Sequence, residues 1–299
     1  MVRLGINPLT WTNDDMPELG ADTPLETCLG EARQAGFTGI ELGNKFPRRP
    51  EQLRLILERH GLALVSGWYS ARLSERSVAD EIDALTDHLT LLKALGCRVM
   101  VFAEVTGCVH GERSTPVSRR PTLSDGQWRR LATGMNDVGR YLRTHGVHLA
   151  YHHHMGTVIE TETEIDRLMA MTGPDVGLLL DTGHLTYAGG NPVALARRHA
   201  GRIVHVHCKD VRGEVLKDVR SRDSSFLDSV LAGVFTVPGD GIVDYRAVLA
   251  PIAATGYDGW LVVEAEQDPA KADPLTYATL GCRNLQSFAT AAGLTIAGE

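Results

Sequence analysis

Paired cysteines, basic blocks and long apolar runs are all missing from these 299 residues, and each absence removes a class of protein. The five cysteines, at positions 28, 97, 108, 208 and 282, are odd in number and nowhere spaced as C-x-x-C. That count and spacing suggest neither a disulfide framework nor a cysteine-held zinc site, and leave reduced, mostly buried thiols as the expectation. No apolar stretch reaches the roughly 18 residues that span a bilayer. The opening MVRLGINPLTW runs straight into polar TNDD, without a signal-like apolar core, so a cytoplasmic protein with no membrane role is expected. No lysine and arginine block occurs, and 37 acidic residues outweigh 30 basic ones for a net charge of −7. That balance is the opposite of a nucleic-acid binder's electrostatic footprint. Small-molecule chemistry is what remains, with self-association left open.

What is present is an alternation of two kinds of segment. Short apolar, β-branched runs recur at RLGIN, TGIEL, LALVSGW, RVMVFAE, VHLAYHH, VGLLLD, RIVHVHC and GWLVVEAE, each suited to a buried strand. Between them lie stretches such as PEQLRLILERHG and SVADEIDALTDHLTLLKALG, with apolar residues at three-to-four spacing and often a closing glycine, as helices prefer. Eight strands each followed by a helix, without a linker-like break or low-complexity tract, predict a single (β/α)₈ TIM barrel over residues 1–299. A doubly wound sheet is the alternative. Two connections, residues 105–123 after the fourth strand and 209–243 after the seventh, exceed ordinary loop length. They are expected to cover the active face, or else to serve as surface or oligomer contacts.

Functional groups of such a barrel gather where strands end. LAYHHHMGT puts three histidines at the end of the fifth strand, and alternate side chains point to opposite faces, so His152 and His154 share one face and His153 takes the other. On the inner face the pair would meet Asp181 ending VGLLLD, His207 ending RIVHVHC and Glu264 ending GWLVVE. A lone histidine or carboxylate there is usually structural, but so many together are costly to bury unless a divalent cation joins them. The mixed nitrogen and oxygen set suits Mn²⁺, Co²⁺, Fe²⁺ or Zn²⁺ and leaves a position open for substrate. His153 and His205 read as packed or supporting groups. Glu160 reads as a helix-terminal carboxylate.

ELGNKFP, YHHHMGT, LLLDTGH, HVHCKDVR, SFLDSVLAGVFTVPGDG and GWLVVEAEQDP, in this order and across nearly the whole chain, resemble the inosose dehydratases of inositol catabolism. These belong to the xylose-isomerase-like sugar isomerase and epimerase barrels. DTGH, HCKD and the glutamate of VVE are common to the wider group and imply fold and metal, whereas YHHHMGT and GVFTVPGDG are particular to the dehydratases. The resemblance implies a hydro-lyase acting on 2-keto-myo-inositol (scyllo-inosose), with Mn²⁺ or Co²⁺ ahead of Zn²⁺, Fe²⁺ or Mg²⁺. Metal ligands would be His152, Asp181, His207 and Glu264, with His152 standing where the wider group commonly carries Glu. Neutral imidazole coordinates the same metals.

Dehydrating a polyhydroxylated ketone requires a base for the proton beside the carbonyl, stabilisation of the enolate and an acid for the departing β-hydroxyl. His154 is the expected base and Glu41, ending GIEL, the expected acid, with the two roles exchangeable. Lys209 and His184 are expected to bond substrate oxygens or support the enolate. Asn7, Trp11 and Trp68 are expected to wall a sugar-like ring, although core packing explains the tryptophans nearly as well. An aldose–ketose isomerase or ketose 3-epimerase needs the same parts. A nuclease is disfavoured by acidity and by the want of a second metal cluster, and a silent metal-binding barrel by groups with no ligand duty.

Overall fold

The computed structural model describes residues 1–297. Ten strands occur among them: β1 (Arg3–Ile6), β2 (Gly39–Leu42), β3 (Ala63–Ala71), β4 (Val99–Glu104), β5 (His148–His152), β6 (Val176–Asp181), β7 (Ile203–Cys208), β8 (Asp210–Val211), β9 (Phe235–Thr236) and β10 (Trp260–Val263). All but β8 and β9 join a closed barrel in the order β1-β10-β7-β6-β5-β4-β3-β2, with every neighbouring pair parallel. The eight predicted strands are thus the eight barrel staves, and the doubly wound alternative is excluded by closure. β4 and β6 are buried along their whole length, as parallel strands covered on both faces must be. Inside, Val99, Val101, Ala150 and Leu179 pack with Trp68 and Val204 into an apolar floor beneath the polar end.

The helices are α1 (Leu25–Gln34), α2 (Pro50–His60), α3 (Val78–Ala94), α4 (Asp125–Thr144), α5 (Glu162–Met171), α6 (Thr182–Tyr187), α7 (Pro192–His199), α8 (Gly213–Ser221), α9 (Phe226–Leu231), α10 (Tyr245–Ala253) and α11 (Pro274–Ala291). Their ends follow the local chemistry. Ser124 with Gln127 and Thr161 with Glu164 form reciprocal caps on α4 and α5. Gly61 ends α2 in the left-handed region at φ 63°. No helix of the described residues is long and apolar enough to cross a membrane.

One expectation needs correction. Residues 209–243 are not an open loop: they hold α8, α9 and the antiparallel β8–β9 ribbon, in which Asp210 faces Thr236. Leu216 and Val219 of α8 and Phe226, Leu227 and Val230 of α9 bury against Val211, Val234 and Phe235 in a second apolar cluster above the barrel. The other long connection is laced to it. Pro116 bridges Ser225, Ser118 Oγ donates to Asp223 Oδ2 at 2.6 Å, and Arg113 Nε donates to Asp228 Oδ1 at 2.7 Å.

Candidate active site

The C-terminal strand ends surround a cavity of about 330 Å³, lined among others by Asn7, Glu41, Trp68, His110, His154, His207 and Glu264. Three carboxylates of the lining, Glu41, Glu264 and Glu266, are all but sealed from solvent; Asp181 and His152 lie fully buried just behind the lining, beside His207, and among the described residues Lys209 is the one buried lysine. Burying that much negative charge demands cations or protons.

The DTGH segment shows how sequence sets this geometry. Asp181 Oδ1 accepts the His184 N–H at 2.8 Å and so caps α6, which turns Oδ2 inward. Thr182 Oγ1 accepts the Lys209 N–H at 3.1 Å. Gly183 leaves room for the Lys209 stem, since a Cβ there would stand 2.5 Å from it. His184 Nε2 lies 2.9 Å from Lys209 Nζ. The motif is therefore a seat for Lys209, whose Nζ reaches Glu264 Oε1 at 2.6 Å and Glu266 Oε2 at 3.6 Å.

Whether these groups fit a cation can be read from their unmet valences. Asp181 Oδ2 is buried and makes no hydrogen bond, and His207 Nδ1, 3.6 Å from it, makes none of good angle although Glu264 stands beside it. Asp181 Oδ2 is equally 3.6 Å from His152 Nε2, and Glu264 Oε2 is 2.5 Å from His207 Nδ1. Bonds of about 2.1 Å in tetrahedral array hold donors roughly 3.4 Å apart, so two of these spacings match, while the 2.5 Å His207–Glu264 contact would have to open by roughly 0.9 Å. The His152 tautomer is set as well: Nδ1 donates to the His153 carbonyl at 2.7 Å, leaving Nε2 its lone pair. Burial and the neighbouring His207 push the His152 pKa down to about 3, against the pull of Asp181, so the ring is neutral as a ligand requires. His152, Asp181, Glu264 and also His184 converge closely enough to hold an ion, and Glu41, His205 and His207 form an adjoining buried group. These histidine, aspartate and glutamate groups can bind a divalent metal.

Three sequence expectations are altered by the geometry. Trp11 is not in the cavity wall; it lies in the barrel core, and its indole N–H donates to Glu31 Oε2 of α1 at 2.6 Å. Lys209 and His184 do not line the cavity, being fully buried behind Glu264 and Asp181. Glu41 does line it, but Oε1 accepts from Ser66 Oγ at 2.5 Å, His205 Nε2 at 2.9 Å and His207 Nε2 at 3.1 Å, while Oε2 accepts from Asn7 Nδ2 at 2.7 Å. Burial alone would raise its pKa, yet His207 and His205 hold it well below the usual carboxylate range. A carboxylate ringed by four donors carries no proton to give, so the acid role expected of Glu41 does not suit it.

His154 stands apart from both clusters. Its Nδ1 donates to the Met155 carbonyl at 2.8 Å, which leaves Nε2 unprotonated. Burial, with His110 and His152 nearby, holds its pKa well below the ordinary histidine value. Trp68 lines the cavity, its ring edge-on to His152 and His154 at centroid distances of 5.3 and 5.5 Å. His153 turns away and accepts the Asp181 N–H at 3.3 Å. Glu160, just ahead of the α5 cap, accepts the Gly156 N–H at 2.7 Å and faces Arg120 at 3.3 Å. Sequence reasoning missed Asp14, Asp15, Arg48, His110 and Glu266, all of which line the cavity. Only Glu266 carried a signal, lying two residues beyond Glu264 on the same alternating face.

A closed parallel barrel with a buried carboxylate and histidine cluster at the C-terminal strand ends defines a sugar-isomerase-like class. The chain belongs to the xylose isomerase-like TIM barrels, whose family model matches residues 29–287, and within them to the group of the inosose dehydratases. It is 54% identical over 295 residues to the rhizopine catabolism protein MocC of Rhizobium meliloti, covering 99% of this chain and 91% of that one. It is 46% identical over 279 residues to the inosose dehydratase of Geobacillus thermodenitrificans, covering 93% and 94%. Among solved structures, a xylose isomerase domain protein from Alicyclobacillus acidocaldarius superposes with a TM-score of 0.69 at 18% identity, covering 98% of this chain and 100% of that one. The last likeness is one of fold.

Proposed function

We propose that this protein dehydrates 2-keto-myo-inositol to a trihydroxycyclohexane-1,2-dione, with a divalent cation held by His152, Asp181, His207 and Glu264. The observation that carries this reading is the presence, beside a cation-fitting cluster, of an imidazole that serves neither as ligand nor as support: His154. Kinship with the inosose dehydratases, 46% identical in the Geobacillus relative, supports the same activity.

The cation supplies, when bound, electrophilic stabilisation of the charge that develops on the ketone oxygen, and Mn²⁺ or Co²⁺ suits the mixed donors. The chain does the rest. Neutral His154 takes the proton from the carbon beside the carbonyl through Nε2. Glu41 fixes His207 and Asn7 in place, and Lys209 holds Glu264 from behind. Asn7, Asp14, Asp15, Asn44 and Arg48 present donors and acceptors for ring hydroxyls, and Trp68 supplies an apolar wall.

The test is to offer metal-loaded protein 2-keto-myo-inositol and, separately, free ketoses. Appearance of the diketone's absorbance with the first supports the dehydratase, while isomerisation at constant composition with either would replace it by an epimerase. The 54% match to a rhizopine catabolism protein favours one second reading, the same dehydration of a ring ketone that arises in that route. A lower KM for such a ketone than for 2-keto-myo-inositol would select it.

A further inference from the structure

We infer that His110 is the acid that protonates the departing hydroxyl, acting beside His154 on one face of the substrate ring; this rests on the dehydratase reading above. The substrate's own stereochemistry sets the requirement. In 2-keto-myo-inositol the hydroxyls alternate between ring faces from one carbon to the next. The hydrogen on the carbon beside the carbonyl lies opposite its own hydroxyl, and so does the next hydroxyl along. Hydrogen and leaving hydroxyl therefore share a face, and elimination between them is syn. Base and acid must be neighbours on one wall of the cavity.

His154 has one such neighbour that is free to act. The His110 and His154 rings lie 4.9 Å apart between centroids, at 61° to one another, and both line the cavity. They are delivered by the connections after adjacent strands β4 and β5, and those connections are docked together. The Val109 N–H donates to the Gly156 carbonyl at 2.9 Å. Gly156 sits at φ 75°, where a Cβ would stand 2.9 Å from the His110 nitrogen. The glycine of HHHMGT is thus what lets His110 approach His154.

The His110 ring is uncommitted, unlike its neighbours. His152 and His154 each spend Nδ1 on a carbonyl, and His205 and His207 each spend Nε2 on Glu41. His110 Nδ1 is buried without a partner. Its Nε2 is 4.0 Å from Asp15 Oδ1, too far for a hydrogen bond and near enough for that carboxylate to attract a proton placed on the ring. Burial lowers its pKa below the ordinary histidine value, and Asp15 pulls the other way without reversing the shift.

The proton count closes without any added reagent. His154 Nε2 takes the hydrogen as the C–H bond breaks, and its electron pair moves to the ketone oxygen. The pair returns to form the carbon–carbon double bond as the C–O bond breaks, and the leaving oxygen takes a proton from His110 and departs as water. The enol so formed tautomerises to the dione. His154 is left protonated and His110 neutral, and transfer between the adjacent rings restores both.

The experiment compares full-length, metal-loaded His110→Gln with wild type in three assays: dehydration of 2-keto-myo-inositol, exchange of its α-hydrogen in D₂O, and fluoride release from the analogue carrying fluorine in place of the β-hydroxyl. Fluoride leaves without a proton. The variant is expected to lose dehydration by ~100-fold or more while keeping exchange and fluoride release, whereas His154→Ala loses all three. Asp15→Asn, which leaves His110 in place, is expected to move the alkaline fall of kcat to lower pH for the hydroxyl substrate and not for the fluoro analogue. Wild-type dehydration by His110→Gln would overturn the inference in favour of His154 acting alone, and loss of fluoride release alongside dehydration would reduce His110 to a packing residue. An inert wild type would instead overturn the dehydratase reading itself.

Discussion

Lys209 Nζ stands 2.6 Å from Glu264 Oε1, and neither side chain is open to solvent: Lys209 is 0% exposed and Glu264 4%. Burial alone would lower the lysine's pKa, but Glu264, Asp181 and Glu266 raise it, so it stays a cation throughout the working range. In metal-free protein it is the fixed positive charge that opposes those carboxylates. Lys209→Met is expected to destabilise the metal-free protein by about 3–5 kcal/mol, the scale for stranding a buried charge. The midpoint of urea unfolding under chelation measures this, and an unchanged midpoint would mean the carboxylates take up protons at no cost.

Ligands and base separate on metal content. Asp181→Asn is expected to lose bound metal and turnover together, because Oδ2 is a buried oxygen of the cluster that no hydrogen bond satisfies. His154→Ala should retain metal and lose mainly kcat, by on the order of 10²–10⁴. Elemental analysis of both variants decides it. Metal held at wild-type stoichiometry by Asp181→Asn would refute the ligand assignment.

Gly156 offers a test that replaces neither a ligand nor the base. Gly156→Ala puts a methyl against the His110 backbone and forces an alanine to φ 75°. The strain should cost about 1–2 kcal/mol. Displacing His110 by as little as ~1 Å is expected to cost about 10²-fold in kcat. Metal content should not change. A fully active variant would show that the connection after β4 adjusts freely.

How much of this was legible beforehand differs from element to element. The strands were visible because parallel staves are apolar on both faces, and alternation at their ends then brought His152, Asp181, His207 and Glu264 together. Trp11 was not separable from Trp68, since an aromatic near a strand end looks the same whichever side it takes; here Glu31, on a helix 20 positions later, holds it in the core. Alternation points Lys209 and His184 toward the cavity, but Thr182 and Gly183 seat the lysine behind Glu264, out of the lining. α8 and α9 fall between β7 and the helix that precedes β10, outside the one-strand-one-helix alternation by which the other helices were recognised. His110 was hidden for a different reason: its position depends on docking against Gly156, a contact across 46 residues that no local pattern records.

Glu160 gives a stability signature in pH. Burial pushes its carboxyl up to about 7, with the Gly156 N–H and Arg120 pulling the other way. Since the folded pKa lies above the unfolded one, near 4.3, the folded state holds the proton more tightly. This contribution to stability is present below the unfolded value and is lost as pH rises through about 7. Glu160→Gln keeps an acceptor for Gly156 and cannot ionise, so relative to wild type it should gain stability between pH 5 and pH 8, by on the order of 2 kcal/mol. Parallel unfolding curves at the two pH values measure it, and a constant difference would show that Arg120 fully compensates the charge.

The central claim is that the cavity expels water from a cyclic polyol ketone rather than moving a proton from carbon to carbon. Mass spectrometry of 2-keto-myo-inositol incubated with Mn²⁺- or Co²⁺-loaded protein tests it most directly. The expected product is lighter by one water, formed by metal-loaded protein and lost on chelation. A product of unchanged elemental composition would contradict it.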